Sequence, residues 1–150
     1  MPTLLQVKDA IKATVATLNT TGGAAVTLPV EKIYTVYTDK KANTTNDADY
    51  PKTFIMADSG DSAKQPSGRS LRKDTFRVVV VLKENANGMT AVHDKILQLV
   101  DDFERLFNDN STLGNIVEDV EFKGYSTDGG ATHPEAILLL TLSIEWYRQF

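Results

Sequence analysis

Cysteine is absent from all 150 residues, so disulfides, thiolate nucleophiles, iron–sulfur clusters and cysteine zinc sites are excluded together. Histidine is scarce. His93 and His133 are the only two, and neither has metal-ligand company at a useful spacing. No apolar run is long enough to span a bilayer. The opening Met1-Pro2-Thr3-Leu4-Leu5-Gln6 lacks the basic segment and unbroken apolar stretch of a secretory signal, so a soluble protein made in a cytoplasm is expected. Without a secretory route, the glycosylation triplets beginning at Asn19, Asn43 and Asn110 read as polar loops. Positive charge is not in excess either. A net charge of −4 and a pI near 5.1 argue against a protein that grips phosphate backbones, since that task needs clustered Lys and Arg.

Catalytic patterns are missing as well. Asp101, Asp102 and Glu104, and likewise Glu118, Asp119 and Glu121, are the carboxylate groups that could suggest acid–base work, but neighbouring positions on a helix point apart. They read as solvated faces. Gly60-Asp61-Ser62-Ala63-Lys64 lacks the two-glycine frame of a phosphate loop, and no Gly-x-Ser-x-Gly elbow occurs. No enzyme, cofactor or metal site is expected.

What is present is the patterning of one globular α+β domain. A composition 41% hydrophobic and 24% charged over this length suffices for a single core without staples. Thr3 and Gln6 have the spacing of a capping box, followed by Leu4, Val7, Ile11, Val15 and Leu18 at helical intervals, with a stop over Asn19 to Gly23. From Val30 to Tyr37 the residues are β-branched and aromatic, and Thr53 to Met56 reads as a second short strand joined to the first by a long hairpin over Thr38 to Pro51. Ala57 to Lys73 shows no period and reads as a second long loop, carrying a basic group at Arg69, Arg72 and Lys73.

The C-terminal half is clearer. Phe76, Val78, Val80 and Leu82 fill one face of a strand; the other is apolar only in its middle. Met89, Val92, Ile96, Leu99, Val100, Phe103, Leu106 and Phe107 form a continuous helical stripe. Strands are expected from Val117 to Tyr125 and from Glu135 to Tyr147, the latter with Leu138, Leu140, Leu142, Ile144 and Trp146 on one face. The order is α-β-β-β-α-β-β. It predicts a mostly antiparallel sheet of five strands packed by a long helix.

This order, with Arg72-Lys73-Asp74-Thr75-Phe76 entering the central strand, Leu113-Gly114 before the fourth strand and Trp146-Tyr147 closing the last, resembles the tail-terminator and tail-completion proteins of long-tailed bacteriophages. The resemblance implies a non-enzymatic virion protein. Copies would form a ring, usually a hexamer, that caps the tail tube, ends its polymerisation, and meets the neck of the head, while DNA passes through the lumen without specific binding. It also implies assembly in the bacterial host cytoplasm. On this reading the two long loops make the contacts, and the candidate interface residues are Asp39, Lys40 and Lys41 in the first and Arg69, Arg72 and Lys73 in the second. A neck or head–tail connector subunit is the near alternative. A nucleic-acid-binding α+β domain is the alternative of another class, although the central strand offers only Phe76 for base stacking.

Overall fold

A computed structural model of the chain describes residues 2–20, 26, 28–35, 47–83, 88–129, 131 and 134–149. The expected strand residues Val36 and Tyr37, the loop residues Asp39, Lys40 and Lys41, the glycine stop at Gly22 and Gly23, the turn at 84–87, the side chain of Met89, and His133 lie outside the described residues.

The capping box forms as its spacing requires: the Thr3 backbone N–H donates to Gln6 Oε1 at 2.8 Å and the Gln6 N–H donates to Thr3 Oγ1 at 3.2 Å. It starts α1 (Leu4–Ala16), which buries Val7, Ile11 and Val15 and ends in a 3-10 turn, Thr17–Thr20. Further elements are β1 (Ile33–Tyr34), β2 (Lys52–Lys64), β3 (Arg69–Lys83), α2 (Gly88–Asp109), β4 (Asp119–Thr127) and β5 (Glu135–Gln149). The fold is α+β, in the expected order. The strands form one sheet in the order β1-β2-β3-β5-β4, antiparallel except where β1 meets β2.

The long hairpin expected between the first two strands is therefore corrected. Ile33 pairs with Thr53 and Tyr34 with Phe54 in parallel, so the chain between them must return to the same end of the sheet before β2 begins. Alternation of apolar residues reveals a strand but not its direction. The last strand, β5, lies inside the sheet between β3 and β4, which accounts for the unbroken apolar face from Leu138 to Trp146.

Both helices cover the same face. Val7, Ile11 and Val15 of α1 and Val92, Ile96, Leu99, Phe103 and Phe107 of α2 share a core with Ile55, Phe76, Val78, Val80, Leu140 and Trp146. Phe103 and Phe107 stack within it, ring centroids 6.4 Å apart. The opposite face has a smaller cluster of Tyr34, Phe54, Val79 and Val81. That second cluster explains why β3 is apolar on both sides only in its middle. In the turn after α2, Leu113 and Asn115 take left-handed φ angles of 49° and 69°, and the Leu113 side chain is buried in the core. Among the described residues, no helix is long and apolar enough to cross a membrane.

Phe103→Asp places a carboxylate in the helix–sheet core and is expected to abolish cooperative thermal unfolding, whereas Leu97→Asp on the exposed side of the same helix is expected to change stability by no more than about 0.5 kcal/mol. Circular dichroism melts of the two variants test this. A cooperative Phe103→Asp melt at the native temperature would contradict the packing of α2.

Candidate assembly surface

The segment Ala57 to Lys73, expected as a loop, is instead an extension of the sheet. β2 continues to Lys64, β3 starts at Arg69, and the two pair from Ser59↔Thr75 to Lys64↔Ser70. With residues 143–149 of β5 paired on the other side of β3, they form a three-stranded arm whose outer member is β2. Its tip is a tight turn in which the Gly68 N–H donates to Gln65 O at 3.1 Å and the Gln65 N–H donates to Arg69 O at 2.8 Å. Gly68 sits at φ +80°, the left-handed position that closes a three-residue hairpin loop.

The reason this strand escapes a reading by period is visible in its burial. From Ala57 to Lys64 every residue is exposed, so neither face carries an apolar signal. Asp58, Ser59, Gly60 and Asp61 are also poor strand formers, and pairing to β3 overrides that preference. A one-residue bulge between Ala57 and Ser59 separates the arm from the buried part of β2.

A polar knot holds the arm to the platform. Asp74 is buried on the helix-covered face, accepting a hydrogen bond from Trp146 Nε1 at 2.7 Å and a two-pronged one from Arg72, Nε at 3.2 Å and Nη2 at 2.9 Å. The Arg72 guanidinium also lies 5.6 Å from the centre of the Trp146 ring. Hydrogen bonding to Asp74, opposed by burial and aided by the carboxylate charge, raises the Arg72 pKa above its ordinary value. Gly60 stands opposite Asp74, and a Cβ there would come within 1.9 Å of Asp74 Oδ1. The carboxylate thus occupies the space that a side chain at position 60 would need.

The three basic candidates of this segment do not form one patch. Alternation puts Arg72 on the helix-covered face with Asp74, and Arg69 and Lys73 on the other. Arg69 stacks on the Tyr147 ring at 4.1 Å, while Lys73 makes an exposed pair with Glu145 at 3.7 Å. Arg77 and Asp58 make a further exposed pair at 3.4 Å across the bulge. Exposed pairs of this kind contribute little to stability. Gly60, Asp74 and Trp146 were not expected as a unit. Extending the alternation of Phe76 to Leu82 backwards would have put Asp74 and Arg72 on the inward face, a polar pair where apolar residues belong.

Elsewhere, an open groove of about 520 Å³ is lined by Pro2, Gln6, Asp9, Ala10, Asn115 and Ile116, of which Gln6 is engaged in the helix cap. Among the described residues no group of three His, Asp or Glu side chains is placed to hold a metal ion. Glu121 pairs with Lys123 at 3.0 Å on the exposed side of β4. The arm is the distinctive surface.

Asp74→Ala leaves the Trp146 N–H and the Arg72 guanidinium without their acceptor and is expected to cost about 3 kcal/mol, the lower end for a buried pair because Arg72 keeps some access to water. Gly60→Ala is expected to cost about 1–3 kcal/mol alone by crowding. In an Asp74→Ala background that penalty should largely vanish. Denaturant titrations of the two single variants and the double variant measure the coupling, and simple additivity would show that Asp74 is not what demands glycine at position 60. In comparisons with known proteins, no family model matches the chain, and no curated protein matches it.

Proposed function

We propose that the protein is a structural subunit of the tail-terminator kind, whose copies close head to tail into a ring, a hexamer by the resemblance, on the end of a phage tail tube. The ring ends polymerisation of the tube and offers its other side to the neck of the head. The observation that carries this reading is the arm: the β2–β3 hairpin, backed by β5, whose outer strand is exposed along its whole length from Ala57 to Lys64 while the inner strands join the main core through Trp146. Such an outer strand adds little to the stability of an isolated subunit, since it buries almost no apolar surface. It does supply contact area outside the core. A head-to-tail ring needs two different surfaces on each subunit, and a projecting arm together with the platform of the next copy meets that need.

Nucleic-acid binding fits less well. Tyr34, Phe54, Phe76 and Trp146 are buried, and Arg72, Lys73 and Arg77 already face carboxylates of their own chain.

Electron microscopy of particles assembled without this protein tests the reading. Overlong tails are the expected result. Normal-length tails beside DNA-filled heads would instead assign the chain to the neck as a joining subunit, and fully formed infectious virions would remove it from tail assembly. In vitro, a purified protein that stays monomeric at high concentration and does not associate with tail tubes would also overturn the ring.

A further inference from the structure

The turn at the tip of the arm determines which backbone groups the outer strand directs outward. Because the Gln65 N–H donates to Arg69 O, these two residues form a hydrogen-bonded pair, and alternation along an antiparallel ladder makes Lys64↔Ser70, Ser62↔Arg72 and Gly60↔Asp74 the non-hydrogen-bonded ones. In such pairs the N–H and C=O point away from the partner strand. Gly60, Ser62 and Lys64 therefore present their peptide groups at the sheet edge, where no described residue receives them; β1 pairs only with Thr53 and Phe54.

This edge lacks most of the features that prevent strand addition. No proline interrupts β2, the side chains at Ser59, Gly60, Ser62 and Ala63 are small, the bulge lies at the base of the arm rather than along it, and the charges on this edge are those of Asp61 and Lys64. The other edge of the sheet is β4, whose outer side likewise has no strand partner among the described residues and carries the exposed Tyr125. β2 is antiparallel to β3, β3 to β5 and β5 to β4, so the two edge strands run in opposite directions. Repeating the sheet from copy to copy with no chain inverted sets β4 of one subunit antiparallel to β2 of the next.

We propose that the Ser59–Lys64 edge of β2 takes the β4 edge of a second copy of this chain, so that the sheets of neighbouring subunits continue as one. Gly60, Ser62 and Lys64 supply the backbone bonds, and Tyr125 lies across the small side chains of the arm. This contact rests on the ring reading and specifies its interface. A two-fold pairing of two β2 edges would also be antiparallel, but it closes at a dimer and leaves both β4 edges bare.

Ser62→Pro is the test, because the Ser62 N–H points outward and its loss removes no bond to β3. The expected variant melts within a few degrees of the native protein yet loses its rings, in sedimentation and in electron micrographs, at concentrations where the native protein is fully assembled. Because the native chain has no cysteine, nitroxide labels can be attached through Ser62→Cys in one pool and Lys123→Cys in another. Mixed, they should show separations at the short limit of the method, as strands about 4.8 Å apart require. Ser62→Pro rings like the native ones would overturn strand addition while leaving the ring intact. Short Ser62-to-Ser62 separations would overturn it in favour of the two-fold dimer. Native protein that forms no ring, alone or on tubes, would overturn both. If the proline variant fails to fold, the label distances decide.

Discussion

The ladder between β3 and β5 is the constraint on which the rest of the molecule depends. It runs from Arg69↔Gln149 to Lys83↔Glu135 without a register shift, while both other long pairings carry one. Its helix-covered side presents Phe76, Val78, Val80, Leu138, Leu140 and Leu142 as a continuous apolar surface that shares one core with α2. A one-residue slip would move each of these side chains to the wrong face. The ladder thus specifies the core, and it also carries β3 out into the arm with β5 alongside, so that the arm is a continuation of the platform rather than a separate flap.

That continuity places a polar problem on the inward face. Where apolar packing gives out, Asp74 takes the next inward position after Phe76, and a carboxylate there is tolerable only because Trp146 and Arg72 satisfy it. The same carboxylate reaches over Gly60 on the neighbouring strand. Three strands are therefore joined at one point by interactions with strict geometry. Apolar contacts would not require the arm to sit at one angle; a directional knot does, and a fixed angle is what a projecting contact surface needs if its partner is to meet it in a repeatable way.

Much of this fold was legible in the sequence, and the parts that were not share a cause. The capping box at Thr3 and Gln6, the stripe from Val92 to Phe107 and the alternation from Leu138 to Trp146 all come from residues with one wet face and one dry face, and these elements lie within a few residues of where patterning puts them. Ala57 to Lys64 has two wet faces and so no pattern at all; it is a strand only because β3 is there to pair with it. The parallel pairing of β1 was hidden for another reason, since direction is a property of the connection and not of the strand. Of the candidate contact residues, Arg69, Arg72 and Lys73 do lie on the arm, but charge alone could not tell that Arg72 faces inward to Asp74 while the other two face away.

The bulge between Ala57 and Ser59 has a consequence for how such a chain can vary. It absorbs one residue, so that odd-numbered positions of β2 face the helices below it and even-numbered positions above it. The arm consequently counts its register from the turn at its tip, and the platform counts its own from the core. Loss or gain of residues at the tip, taken evenly from both strands, shortens or lengthens the arm without disturbing the core or the pairing of Gly60 with Asp74. Reach and stability are thus separable traits in this fold, and contact distance can change through length alone.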